Sequence, residues 1–288
     1  MLSFAIAALA GEDVGMPDTH AAPAAPAAPK PAVRVSARDR ARAEVMRDLL
    51  AAARARLATD GAAELSLRAV ARDLGLASSA VYRYVPSRDA LLTLLVVESY
   101  DAVGAVCERA ASAADAAGHA PARAWLEVAR AVRRWALADP RGFELIYGTP
   151  VRGYAAPADT VVPATRVWAV VSGLLAAARA DGSLRPAGPT FATDGLVTDD
   201  VYAFAAAHGA DLAARPGADG DAEDRRRDVV RSITLFSSLL GALTAELFSH
   251  LRGVAQDPAR AFDVTVATAA AGVGLHVDLA DAWDAPAR

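Results

Sequence analysis

An all-α fold is predicted for this chain, and three observations predict it. Hydrophobic residues make up 54% of the 288 residues while aromatics make up only 6%; the surplus is alanine, which favours helix most and buries little area per residue. From Arg38 onward apolar positions recur at intervals of three and four, the period of an amphipathic helix. Helix-stopping signals then punctuate the pattern, at Gly61, Gly75, Pro86, Asp139-Pro140 and Asp181-Gly182.

Residues 1–35 stand apart from this pattern. The opening MLSFAIAALA has no Lys or Arg before it and acids after it at Glu12 and Asp13, so no export signal is expected, and Met16 offers an alternative start. HAAPAAPAAPKPA, residues 20–32, repeats proline every third position, which predicts an extended, solvated tail. Two domains are expected after it, at 36–95 and 96–288. In the first helix Met46, Leu49, Leu50, Ala53 and Leu57 form one stripe, ending near Gly61.

Charge is unevenly distributed along the chain. Residues 34–90 hold 11 Arg against 7 Asp and Glu, net +4, whereas residues 91–288 hold 18 Arg against 24 acids, net −6. A basic module joined to an acidic body suits nucleic acid, because neutralising phosphates takes local rather than overall positive charge. Other functional classes lack their signatures. The single cysteine, Cys107, excludes an internal disulfide and a Cys-rich zinc site and is expected to be a small buried residue. The histidines at 20, 119, 208, 250 and 276 show no metal spacing; no cofactor is expected, and no nucleophile elbow, Walker loop or H-E-x-x-H motif is present. No apolar run is read as reaching the roughly 20 residues of a bilayer span, so no membrane partner is expected.

The most informative stretch is LSLRAVARDLGLASSAVYRYVPSRDALL, residues 65–92. Ser66 is placed to cap a helix whose buried stripe is Leu67, Val70, Ala71 and Leu74. Gly75, Leu76 and Ala77 form a short turn in which Leu76 is expected as a buried anchor, and Ser78 caps a second helix running to about Tyr84. Pro86 stops that helix, and Ser87 caps a third from Arg88, with Leu91, Leu92 and Leu95 inward. Two short helices across a Gly turn make a helix-turn-helix. Its second helix turns Ala80 and Val81 inward and leaves Ser78, Ser79, Tyr82 and Arg83 outward, a face of hydroxyls and a guanidinium that suits a major groove. Arg88 and the N–H groups around it face a phosphate, and Arg34, Arg38, Arg40 and Arg42 extend the footprint.

These residues, preceded by an amphipathic helix ending in LATDG, strongly resemble the DNA-binding region of TetR-family repressors. The resemblance covers residues 38–95, with Val85 where the family often has Phe and Arg88 where Lys is usual. It implies phosphate contacts for Tyr84 and Arg88 and base or mixed contacts for Ser78, Ser79, Tyr82 and Arg83; with Arg38 and Ser66 these make up the candidate DNA-binding set. WALADPRGFELIYGTPVRGY, residues 135–154, is similar to the ligand-binding half of a WHG-type subset of TetR-like proteins.

The rest of the body offers fewer motifs. Trp125, Val128, Ala129, Val132 and Trp135 share a stripe, RGFELIYG forms a short helix after Pro140, and a longer helix runs from about Val162 to Ala180. Residues 209–224 are expected as an acidic loop; beyond it Val229, Ile233, Phe236, Leu240, Leu243 and Leu247 make a long stripe, and a last helix spans about Pro258 to Gly272. The resemblance implies that the final two helices pair with their copies in a homodimer, with Gly241, Ala242 and Ala245 allowing close approach. A dimer follows also from recognition itself, since one short helix reads too few base pairs and two read a palindromic operator in double-stranded DNA. Trp125, Trp135, Phe143, Tyr147, Tyr154 and Trp168 are the candidate ligand-binding residues for a small apolar or amphipathic molecule. The expectation is a cytoplasmic, nucleoid-associated repressor released by its ligand; the alternative is a DNA-associated scaffold or activator without a small-molecule input.

Overall fold

The computed structural model describes residues 36–213 and 222–284. The Ala/Pro-rich segment with Met16 and Arg34, and residues 214–221 of the expected acidic loop, lie outside the described residues. The described chain is all-helical and forms two compact units, a head of residues 36–95 with Val151–Tyr154 and a body made of the rest.

The head contains α1 (Ala37–Asp60), α2 (Leu67–Asp73), α3 (Ser78–Val81) and the start of α4 (Arg88–Ala116). Ser36 begins α1 by accepting the Asp39 N–H at 3.1 Å, the local bond that lets Ser favour helix starts. Leu49, Ala53 and Leu57 of α1 pack with Leu67, Val70 and Ala71 of α2 and with Val81, Val85, Leu91, Leu92 and Leu95 as one buried core. Val85, shorter than the family's usual Phe, is fully buried.

The turn after α2 closes as a Schellman motif: Leu76 N–H reaches the Ala71 carbonyl at 2.9 Å and Gly75 N–H the Arg72 carbonyl at 3.1 Å. Gly75 sits at φ +66°, where a side chain is strained. Three local expectations are corrected here. Leu76 is 38% exposed rather than a buried anchor, because Val70, Ala71 and Val81 already fill the junction. Ser66 stands at the N-cap of α2 without a capping side-chain bond. Ala77, not Ser78, is the N-cap of α3, whose last turn loosens from Tyr82 to Tyr84.

The body holds the remainder of α4, then α5 (Pro121–Ala138), α6 (Pro140–Tyr147), a 3₁₀ turn (Ala158–Thr160), α7 (Val161–Ala180), α8 (Asp199–Ala213), α9 (Ala222–Leu247), α10 (Pro258–Val273) and α11 (Ala280–Asp284). Asp139 both ends α5 and caps α6, accepting the Gly142 N–H at 2.9 Å. Helix α7 is central, packed against α5, α8 and α9, and α9 also packs on α10. The expected loop 209–224 shrinks from both ends, since 209–213 belong to α8 and 222–224 to α9.

On α9 the inward residues are Asp228, Ser232, Leu235, Phe236, Leu239 and Leu243, so the buried stripe is rotated from the expected one and Val229, Ile233, Leu240 and Leu247 lie half-buried at its edge. The reason is that two inward positions are polar and satisfied. Ser232 Oγ accepts from Trp168 Nε1 at 2.9 Å, and Asp228 accepts from Arg179 and Arg231.

By length and composition three helices, Arg88–Ala116, Ala158–Ala180 and Glu223–Leu247, are apolar enough to cross a membrane, which overturns the expectation that no run is long enough. Alanine raises their hydropathy. Their larger apolar side chains, such as Trp168, Val171 and Leu175 of α7, are buried among neighbouring helices.

Candidate nucleic-acid interface

The head presents α3 with alternating fates for adjacent residues. Val81 is buried and Ala80 half-buried, while Ser79, Tyr82 and Arg83 face outward and Ser78 and Tyr84 lie half-buried beside them. Tyr82 is 43% exposed, a large ring held at the surface by a helix only one turn long. Arg38, Arg40, Arg42, Arg47, Arg68 and Arg72 are exposed on the same unit, which gives it the positive surface that phosphates require.

Two ties hold this face in position, and neither was read from the sequence. Arg42 of α1 lies over the Tyr84 ring, 5.4 Å from its centre. Arg56 of α1 binds both oxygens of Asp73 on α2 at 2.7 Å and Asp60 at 3.0 Å. The guanidinium holds the Asp73 and Asp60 carboxyls below their usual range. Arg56 and Asp60 stand one helical turn apart, a spacing visible in sequence; Arg56 and Asp73 are 17 positions apart and meet only through the fold.

Arg88 takes a different position from the one expected of a phosphate ligand. Its Nε donates to the Leu65 carbonyl at 3.2 Å and its Nη2 to the Ala62 and Ala63 carbonyls at 2.8 and 3.0 Å. The side chain thus ties the start of α4 to the loop before α2. Ser87 caps α4 as expected, accepting the Ala90 N–H at 3.0 Å. Arg88→Ala is therefore expected to loosen the head and weaken binding to all DNA sequences while leaving the salt slope unchanged. A slope flattened by about one, measured by fluorescence anisotropy across salt concentrations, would instead assign Arg88 to a phosphate.

The six aromatic candidates for ligand contact are not brought together. Trp125, Trp168 and Phe143 are fully buried core residues, and the two indole N–H groups are committed to the Val266 carbonyl and Ser232 Oγ. Trp135 is half-buried. Tyr154 belongs to the head, where its hydroxyl bonds Thr93 Oγ1 at 3.0 Å. Tyr147 alone keeps a buried hydroxyl without a hydrogen-bond partner. A groove of about 540 Å³ in the body is lined by Leu196, Val230, Ile233, Thr234 and Ser237 among others and by none of the six.

A basic three-helix head with a Gly-turned helix pair, joined to a larger helical body, defines a helix-turn-helix DNA-binding regulator. Residues 49–95 match the family model for bacterial regulatory proteins of the tetR family, and residues 125–269 match the tetracyclin repressor-like C-terminal domain. The HTH-type transcriptional regulators Mb1846 of Mycobacterium bovis and Rv1816 of Mycobacterium tuberculosis are each 36% identical over 246 residues, 84% of this chain and 98% of theirs. The solved structure of regulatory protein SCO4313 is 31% identical with a TM-score of 0.59, covering 81% of this chain and 98% of that one. A Rhodococcus sp. RHA1 protein of unknown function shares the fold at 21% identity and TM-score 0.57, over 79% of this chain and 94% of its own. The chain belongs to the TetR family. It is a DNA-binding transcriptional regulator and not an enzyme.

Proposed function

We propose that the chain acts in the cytoplasm as a homodimeric repressor that reads a palindromic operator and is released by a small apolar or amphipathic ligand. The head, residues 36–95, is the reading unit, and the body, 96–288, carries dimerisation and ligand response. The observation that carries the dimer is an uncharged outer face on the two long C-terminal helices. On α9 it comprises Thr234, Ser237 and Gly241 with half-buried Val230 at its edge and Phe248 just past the helix end, and on α10 Val264, Thr265 and Gly272. A β-carbon built on Gly241 or Gly272 meets nothing within 4 Å, so neither glycine is required by packing inside the protomer, and both suit the close approach of another helix. The charged residues within that span of α9 are bound inside the protomer, Arg231 to Asp228 at 2.9 Å and Glu246 to Arg133 at 2.5 and 2.8 Å.

On the DNA side, Ser79, Tyr82 and Arg83 read base edges, while Ser78 and Tyr84 stand at their margin and Arg38 contributes along the backbone. Ser66, half-buried at the start of α2, lies within reach of a phosphate only through that helix end. Each of Ser79→Ala and Arg83→Ala is expected to shift the preferred operator sequence at one position, with about 1–3 kcal/mol of lost discrimination. Selection of bound fragments from genomic DNA, repeated with each variant, checks this; unchanged preference in both would refute the groove assignment. The same selection locates the operator. A wild-type protein that binds the selected site yet responds to no metabolite in a thermal-shift panel would favour the ligand-independent alternative.

A further inference from the structure

Among the described residues the body contains one buried polar side-chain atom with no hydrogen-bond partner, the hydroxyl of Tyr147. Tyr147 lies at the C-terminal end of α6, and three aromatic rings pack against its own ring. Tyr100 of α4 stands edge-on with ring centres 5.9 Å apart, Phe143 of α6 is at 5.3 Å, and Phe236 of α9 stands edge-on at 6.2 Å. The Tyr100 hydroxyl is already used, donating to the Ile146 carbonyl at 3.2 Å. Cys107 is fully exposed to none of the solvent, and burial pushes its thiol up to about 12. Burial likewise holds the Tyr147 phenol well above its ordinary range, so both groups stay neutral.

A buried hydroxyl without a partner is rare in folded proteins and asks for an explanation. A phenylalanine would fill the same ring space without leaving a donor dry. A trapped water needs two to four polar partners, and the polar side-chain groups beside Tyr147 are the Tyr100 phenol, which already donates to the Ile146 carbonyl, and the Cys107 thiol. A single acceptor arriving from outside would satisfy this donor. Its chemistry can be read from the surroundings: three aromatic rings for an apolar or aromatic body, and one unmet O–H donor for an acceptor.

We infer that Tyr147 marks the ligand site of the body, and that the ligand is a largely apolar, uncharged molecule with one hydrogen-bond acceptor that the Tyr147 hydroxyl meets as donor. This rests on the ligand-responsive reading above. Only two of the six aromatic residues singled out from the sequence, Phe143 and Tyr147, take part; Tyr100 and Phe236 replace the others.

The test uses the full chain, the Y147F variant and three matched probes: acetophenone, ethylbenzene and benzoate. Without any probe, Y147F is expected to melt at the same temperature as the wild type or higher, because a dry donor has been removed. Acetophenone is expected to bind wild type about tenfold more tightly than Y147F, the worth of one buried hydrogen bond. Ethylbenzene should bind both alike, and benzoate should bind neither. The proposal is overturned if Y147F melts clearly lower without probe, if acetophenone does not distinguish the two proteins or binds neither, or if benzoate binds as well as acetophenone. Operator affinity measured on the same preparations separates the two levels: intact DNA binding with a failed probe result removes this inference and leaves the regulator standing.

Discussion

A Gly241→Glu variant is expected to be a monomer and to lose roughly a thousandfold in operator affinity, falling toward the level of non-specific binding. Because nothing in the protomer lies within 4 Å of a β-carbon at this position, the substitution leaves internal packing untouched and slightly improves helix propensity. In a two-fold interface built from α9 and α10 the same carboxylate would face apolar partner surface or its own copy, and a buried unpaired charge is strongly unfavourable. Loss of the dimer halves the number of reading helices per particle, and with it the base pairs read. Sedimentation velocity gives the oligomeric state, circular dichroism the fold, and fluorescence anisotropy the affinity. A dimer with full affinity after this change would move the interface elsewhere on the body.

Arg130→Leu is expected to destabilise the protein by about 3–5 kcal/mol, the usual result of stranding one half of a buried ion pair. Asp263 of α10 is 5% exposed. It receives two hydrogen bonds from Arg130 of α5, at 3.0 and 2.7 Å, and a third from Trp283 Nε1 at 3.0 Å. Without Arg130 the buried carboxylate keeps only the indole donor. The double variant Arg130→Leu with Asp263→Leu is expected to recover most of the loss, since apolar residues of similar size replace such pairs at little net change. Urea denaturation of the wild type, both single variants and the double variant gives the coupling directly. A single-variant effect below about 1 kcal/mol, the range of an exposed pair, would show that water reaches Asp263.

Much of the head was legible because its signals are local. Gly75 must adopt a left-handed backbone, Pro86 and Ser87 separate and cap adjacent helices, and Leu91, Leu92 and Leu95 repeat at helical spacing; each acts within four residues of itself. Asp139-Pro140 worked the same way in the body. Misreadings arose where a distant residue decided the outcome. Leu76 looked like an anchor because it is apolar in a turn, but Val70, Ala71 and Val81 had already closed that junction. The resemblance gives Arg88 a phosphate, and the fold adds what the chain order hides: the carbonyls of 62, 63 and 65 come within its reach when the loop folds back. The α9 stripe is displaced because two of its inward positions are polar, Ser232 and Asp228, and their burial depends on Trp168, Arg179 and Arg231 from elsewhere in the chain or helix.

What the sequence determined by itself was the helical class, the helix-turn-helix and the separation of positive charge from an acidic body, because helix period, caps, breakers and charge are properties of neighbouring residues. The tertiary structure decided which polar groups are satisfied and which is left without a partner: Arg56 with Asp73, Arg130 with Asp263, and Tyr147 with nothing. Satisfaction of a buried polar group is a matter of what lies within about 3 Å in space, and residues that far apart in the chain come that close only once the helices have packed.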